Sequence, residues 1–300
     1  PQHCKVQFPD VGTKGHIVLP KIGPIKAILH RRFNGTVKTV TVVREASGKY
    51  YASVLVDNAQ PEVAPDTVDF ERTAGIDAGI KTAFTVVSQS GTEKIDNPTF
   101  LKKHSEQLKK QQKRLARCLR IVNVKKNEKG EKVKEVTVSK RYEKVRKELA
   151  CTHERIRHCR KNWIDQITHR LVIDSQVTTY VIEDLDLKGM VKNHHLARAV
   201  SDVGIGNFYR TLQYKLEAVG KNLIVAGRWY PSSKRCPEGG AKKESLTLKE
   251  REWCCAKCGS KHDRDEAAAR NLRHWVKLSE SDKHRYGRNG RALEKETIPF

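Results

Sequence analysis

The sequence has no apolar run near the roughly 20 residues that a bilayer span needs, and no signal-type segment at its start. A membrane-embedded role is therefore not expected. Acid is scarce relative to base: 35 Asp and Glu stand against 59 Lys and Arg, a net charge of +24. A chain without the acids to neutralise its own bases suits a polyanionic partner, nucleic acid before a membrane surface. The apolar share, 37%, is below the globular average and the charged share, 31%, above it. A disulfide framework is missing too. Four of the eight cysteines, Cys236, Cys254, Cys255 and Cys258, crowd one short segment, and Cys4, Cys118, Cys151 and Cys159 have no ligand spacing. That crowding suits metal ligands in a reducing, cytoplasmic setting. The chain opens on Pro1, not Met, and reads as a piece of something longer.

The run Thr73–Val87 (TAGIDAGIKTAFTVV) holds one acid, Asp77, among Gly75, Ile76, Ala78 and Gly79. The pattern predicts a strand, a tight break and a second strand. A carboxylate inside such a strand is costly to bury unless a cation meets it, and a metal ion would meet it. The plainer alternative is a turn aspartate in an ordinary hairpin.

Before it, residues 1–70 read as all-β. Thr36–Val43 (TVKTVTVV) turns through Arg44–Gly48 into Lys49–Val56 (KYYASVLV), a hairpin in a small barrel or sandwich, and Asn58–Phe70 is a linker. After it, Phe100–Trp163 is helical and strongly basic. It predicts two long helices in an antiparallel hairpin, joined by a Lys/Glu/Gly-rich connection, Asn123–Val138. Lys109, Lys110, Lys113, Arg114 and Arg117 are candidate contacts to backbone phosphates, with Lys234 and Arg235 further on. A solvated charged face is the plain alternative. Thr178–Asp184 (TTYVIED) predicts a strand with Glu183 at its carboxyl end, where open sheets gather ligands. Leu196–Leu216 predicts helix and Leu223–Ala226 a short strand.

Cys255-Ala-Lys-Cys258-Gly259 is a CxxC knuckle that can turn two thiolates toward one ion, zinc by preference. The matching half reads Cys236-Pro-Glu-Gly239-Gly240, so its second cysteine is absent. Cys236, Cys255 and Cys258 remain as zinc ligands, with His262 or Cys254 as a fourth. Next comes His262-Asp-Arg-Asp265-Glu. Asp263 and Glu266 have the spacing of a capping box, and Asp265 lies on the same helical stripe as Ala268 and Leu272. Asp77, Glu183 and Asp265 thus sit on a first strand, a later strand end and a terminal helix. That arrangement is expected of an α/β fold with an RNase H-like mixed sheet. Such acids suit two Mg2+ ions, hard cations that prefer oxygen.

The segments GIDAGIK around Asp77, VIEDLDLKGM around Glu183 and CAKCGSKHDRDEAAARNL around Asp265 resemble the three RuvC-type motifs of the TnpB (OrfB) nucleases, transposon-encoded relatives of type V CRISPR effectors. LPKIGPIK, TVTVVREASGKYY, LARAVSDVGIGNFYRTLQYK and YPSSKRC resemble that family as well, and the likeness runs from about Ile17 to Leu278. It implies an RNA-guided, Mg-dependent DNA endonuclease with an Asp77–Glu183–Asp265 site, a zinc ribbon, and guide RNA and target DNA as partners. It also implies a partial β-barrel at 1–70, a RuvC-like core at 71–230 with the basic helical hairpin at about 100–163, a ribbon-like insert at 231–262, and a last helix and tail at 263–300. Three departures stand out. Gly239 replaces a cysteine, Ala267 stands where the family usually has Asn, and the N-terminal helical recognition region is not visible. Two other readings stay open on the sequence: a repressor-like RNA- or DNA-binding protein impaired in cutting, and a DNA-joining transposase, whose chemistry also uses an acidic triad.

Overall fold

The computed structural model describes residues 4–59, 61, 63–126, 132–247 and 250–287. The tail expected near the end of 263–300 lies outside the described residues from 288 onward. Five strands open the chain: β1 (Lys5–Gln7), β2 (Lys14–Leu19), β3 (Gly23–Ile28), β4 (Thr36–Arg44) and β5 (Tyr50–Asp57). Then come β6 (Thr73–Ala78), β7 (Thr82–Ser88), β8 (Gly91–Asp96), α1 (Phe100–Lys103) and α2 (Ser105–Arg117). β9 (Leu119–Lys126) and β10 (Lys132–Val138) precede the long α3 (Lys140–Ile173). β11 (Thr179–Glu183), α4 (Leu187–Lys192), α5 (Ala197–Val203), α6 (Ile205–Glu217) and β12 (Asn222–Ala226) follow. β13 (Glu252–Cys254), β14 (Lys261–Asp263), α7 (Arg264–His274) and α8 (Glu280–Arg285) complete the order. Two compact units share these elements: Pro1–Glu62 with Glu106–Arg155, and Val63–Ser105 with Ile156–Phe300.

The first unit is rich in strands, as the alternation predicts. Its opening strands form a three-stranded sheet, β1-β2-β3, and a separate hairpin, β4-β5. No ladder joins the two among the described residues, so a partial barrel is not seen. The stretch 123–138, expected as an irregular link between two helices, is instead mostly the antiparallel hairpin β9-β10. Within Val133–Val138 (VKEVTV) only Val136-Thr137-Val138 alternates, and the register shifts between Glu135 and Val136, so the sequence carries little period-2 signal there. α2 and α3 lie side by side, with Arg114 Nη1 donating to Glu148 Oε2 at 3.2 Å. On α3, Glu154 is buried and accepts from Lys49 Nζ at 2.9 Å and from Tyr51 Oη at 2.5 Å. This ties the β4-β5 hairpin to the helix.

The second unit is built on a five-stranded mixed sheet in the order β12-β11-β6-β7-β8. β11 runs parallel to both β6 and β12, while β6, β7 and β8 form an antiparallel meander. Parallel neighbours require crossovers, supplied by α3 before β11 and by α4–α6 before β12. Ala74, Ile76, Tyr180, Ile182, Phe84 and Val86 point to one side of the sheet. There they pack on Ile164, Ile167 and Leu171 of α3 and on Phe208, Leu212 and Leu216 of α6. Phe84 and Phe208 stack with ring centroids 3.8 Å apart. Each buried Ile, Leu or Phe of this set contributes about 1.5–3 kcal/mol. The opposite side holds Val181 and Ala226 against Leu272, Trp275 and Tyr230. The helix expected over 196–216 is broken in two at Gly204, which takes a φ of 73° to end α5 and start α6. Among the described residues no helix is long and apolar enough to cross a membrane.

Candidate functional site

Strand register decides which acids can meet. In the parallel β6–β11 pair, Gly75 lies opposite Val181 and Ile76 opposite Ile182. Paired residues share a face and alternate along the strand. Val181 belongs to the α7 side and Ile182 to the α3/α6 side, so Asp77 and Glu183, each one step beyond, both face the α7 side. Gly75 lets α7 come close: a Cβ there would overlap Ala269 O and meet Arg273 N. Asp265 is one helical turn before Ala269, and Asp77 is two residues after Gly75. The close approach therefore carries the start of α7 toward the end of β6. Asp263 caps that helix, its carboxylate accepting from the backbone N–H of Asp265 and Glu266 at 3.0 Å, and Lys94 Nζ reaches the same carboxylate at 2.9 Å.

The charges of these acids act on one another. The Asp77 carboxyl is pushed well above its ordinary value of 3.8, first by burial, then by Glu183 and Asp265; Arg264 and Arg251 offset part of the shift. Burial also raises Glu183. Ser232 opposes this through a hydrogen bond, Asp184 adds to it, and Arg264 opposes it. Asp265 is held from the other side by Arg251, whose Nη1 lies 3.2 Å from Oδ1 and 3.4 Å from Oδ2. Asp184, beside Glu183, takes a bidentate pair from Arg228 at 3.0 and 3.1 Å. Arg264 and Ser232 fall inside the quoted segments without being marked there as partners of the acids, and Arg251 falls outside them. Arg251 lies in the segment before β13, and Ser232 is brought in because Asn271 of α7 donates to its carbonyl at 2.7 Å. Three acids of one sign, partly buried and only partly matched by arginine, make a donor set that a hard divalent cation fits. Their oxygens are spread wider than the thiols described next. Among the described residues the one group of three or more candidate ligands all within 4.8 Å of one another is Cys236, Cys255 and Cys258.

The Sγ atoms of Cys236 and Cys258 are 3.6 Å apart, and Gly239 N donates to Cys236 Sγ at 3.2 Å. A Cβ on Gly239 would stand 3.2 Å from Cys258 Sγ and 3.7 Å from Cys236 Sγ, so the absent side chain would have pointed into the group. Three buried or knuckle-held thiols at this spacing fit zinc. Of the two further candidates, Cys254 is exposed and its thiol donates to Gly259 O at 3.1 Å, outside the group. His262 is buried, and its Nε2 is 3.1 Å from Cys236 Sγ. Ala267 is buried in the apolar cluster of Cys236, Trp253 and Cys255.

Lys109, Lys110, Lys113, Arg114 and Arg117 all lie exposed along α2, although Lys109 is paired to Glu106 at 2.9 Å and Arg114 to Glu148. Lys234 and Arg235 are half-buried at the entry to the cysteine segment, where Asn271 Nδ2 donates to Arg235 O at 2.7 Å.

Two family models match the chain. Residues 53–194 match OrfB_IS605, described as "Probable transposase", and residues 206–272 match the Cas12f1-like TNB domain. A Streptomyces pristinaespiralis protein provisionally named an RNA-guided DNA endonuclease is 38% identical over 234 residues, 78% of this chain and 52% of that one. A protein of Mycobacterium tuberculosis (strain CDC 1551 / Oshkosh) with the same kind of name is 29% identical over 272 residues, 86% of this chain and 54% of its own. The chain thus spans about half the length of these curated relatives. A solved Cas12f1–sgRNA–target DNA complex aligns with a TM-score of 0.46 at 15% identity, over 92% of this chain and 66% of that one.

Proposed function

We propose that this chain, which belongs to the OrfB (TnpB) family, is an RNA-guided DNA endonuclease whose cutting site is the acidic face formed by Asp77, Glu183 and Asp265. The observation that carries this reading is electrostatic. Burial first, then Glu183 on the neighbouring parallel strand and Asp265 at the start of the helix packed over them, raise the Asp77 carboxyl well above its ordinary value. Folding accepts such a cost where function needs the charge. The sheet order, with a parallel β6–β11 pair beside an antiparallel meander, supports an RNase H-like core of the RuvC kind. In this reading residues 71–230 carry that core, 231–262 the ribbon and 263–274 the last catalytic helix.

Asp77, Glu183 and Asp265 would hold Mg2+, which when bound supplies positive charge at the scissile phosphate and a more acidic water. The residues around them have roles of their own. Ser232 orients Glu183. Arg228 clamps Asp184 so that its negative charge is matched outside the site. Arg251 and Arg264 keep the acids from repelling one another before the ions arrive. The exposed bases of α2, with Lys234 and Arg235, would bind the backbone of a guide RNA–target DNA duplex without reading its sequence. The names of the relatives support the RNA-guided substrate class.

The test is to purify the chain with its co-expressed RNA, sequence that RNA, and assay cutting of matched DNA with Mg2+ or with EDTA. Guided cutting that EDTA stops, and that Asp77→Ala abolishes while RNA binding is kept, is the expected result. Full cutting by Asp77→Ala would remove the assignment. RNA bound by the wild type without cutting would favour the repressor-like binding protein instead.

A further inference from the structure

We propose that the groove between α2 and α3 binds a nucleotide, with Lys144, Lys147 and Arg155 on its phosphates and the Gln111 amide on its base or sugar. The proposal does not rest on the acidic site or on cutting. α3 places residues 144, 147, 148, 151, 152 and 155 at steps of three and one, the spacing of a single helical face. Gln111 of α2 stands across from that face, and the two helices enclose a cavity of about 510 Å3. Small-molecule pockets ordinarily measure roughly 300–1,000 Å3. Lys144 and Lys147 are about 4.5 Å apart along the helix axis, whereas Arg155 lies about 16 Å beyond Lys144. The two lysines can therefore share one phosphate group, and the arginine meets the far end of the same ligand.

Charge balance distinguishes this groove from an ordinary solvated face. Up to residue 155, α3 carries three acids, Glu143, Glu148 and Glu154, and each is taken elsewhere. Glu143 accepts from Arg146 at 2.7 Å, Glu148 from Arg114 at 3.2 Å, and Glu154 from Lys49 and Tyr51. Lys144, Lys147 and Arg155 are exposed, and none of them makes a hydrogen bond or ion pair among the described residues. Three unmatched cations along one wall suit an anionic ligand. Gln111 adds a second requirement. It is only 9% exposed, and its Oε1 has no hydrogen-bond partner. A buried acceptor left unpaired is costly, and a hydrogen-bond donor is needed to satisfy it. Thr152 lines the same cavity, but its hydroxyl already donates to Glu148 O at 3.1 Å and does not supply that donor. Phosphate groups bring charge and acceptors. A nucleotide brings donors as well, in its ribose hydroxyls and base amino groups.

The test uses the full chain in EDTA, with ATP, inorganic triphosphate and a single-stranded RNA tetramer as probes. Binding is measured by calorimetry. Alkylation of Cys151, which lines the cavity, is followed by peptide mass spectrometry with Cys4 as the reference. ATP or the tetramer should slow alkylation of Cys151 and leave Cys4 unchanged. Stronger protection by the tetramer assigns the site to a nucleic-acid strand, and stronger protection by ATP assigns it to a free nucleotide. Lys147→Gln should weaken binding of the protecting probe about tenfold or more, as loss of a charge-assisted hydrogen bond does. Arg146→Gln removes the same charge from another face of α3 and should leave binding nearly unchanged. Gln111→Leu should weaken that probe about three- to tenfold while leaving inorganic triphosphate unaffected. Circular dichroism and melting of the variants separate ligand loss from misfolding. The proposal is overturned if neither ATP nor the tetramer protects Cys151, if Arg146→Gln and Lys147→Gln lose binding equally, or if Gln111→Leu treats triphosphate and nucleotide alike. None of these results depends on whether the chain cuts DNA.

Discussion

Arg251 holds Asp265 by a single guanidinium nitrogen that reaches both carboxylate oxygens, at 3.2 and 3.4 Å. The pair joins the middle of the cysteine segment, just before β13, to the first turn of α7. Arg264, next to Asp265 in sequence, has its backbone N–H on Arg251 O at 2.7 Å. The two arginines that moderate the acidic face are therefore linked through the backbone, and the ribbon and the acids share a border.

Arg251→Gln should lower the stability of the metal-free chain. The arginine side chain is 52% exposed, so the ion pair alone is worth about 0.5–1 kcal/mol. Thermal melting in EDTA should fall by a few degrees, and added Mg2+ should recover more of that fall than it adds to the wild type. Equal melting of the two proteins in EDTA would show that Arg251 does not moderate the acids.

Asp77→Asn should stabilise the metal-free chain at neutral pH while abolishing cutting. A carboxyl whose folded value is raised above 3.8 favours the fold only while protonated, so its ionisation costs stability as pH rises past 3.8. Unfolding by urea in EDTA, followed from pH 4 to pH 8, should show the variant's advantage growing with pH. Mg2+ should erase the advantage by stabilising the wild type alone. A constant difference across pH would contradict the shift.

Glu154→Gln should act in the opposite sense. Tyr51 and Lys49 donate to this carboxylate and hold it at about 2, below its ordinary 4.5. Its stabilisation is present above pH 4.5 and is lost as pH falls toward 2. Lys49 is mostly exposed, so a loss of about 1 kcal/mol is expected at pH 7. Denaturant unfolding at pH 7 and pH 3 should show the variant's deficit shrinking at the lower pH.

Gly75→Ala should separate the acids without touching them. The new methyl would collide with Ala269 O and with Arg273 N, both backbone atoms that cannot turn aside. Overpacking of this kind costs about 1–3 kcal/mol. α7 must move off β6 and take Asp265 with it. Cutting should fall while RNA binding persists, and melting should drop by several degrees. Full activity would show that the site does not depend on this close approach.

Much of this was already written in the order of residues. Asp77 between glycines, Glu183 at the end of an apolar run, Asp265 behind a capping aspartate and the CxxC at Cys255 and Cys258 are local patterns, and local patterns survive without a fold. Strand and helix identity followed for the same reason wherever the period was clean, as in β6, β7 and β11. It failed in β9 and β10, where the apolar residues do not keep one parity along the strand and the register shifts between Glu135 and Val136. Three-dimensional packing alone decided the rest. The shared face of Asp77 and Glu183 comes from the register of two parallel strands more than 100 residues apart. The grip of Arg251 on Asp265, the aim of His262 at Cys236 and the outward turn of Cys254 come from which side of a strand or helix each residue occupies once its neighbours pack. Residue type sets what a side chain can do, whereas its partner is set by register and close approach, which no short stretch of chain contains.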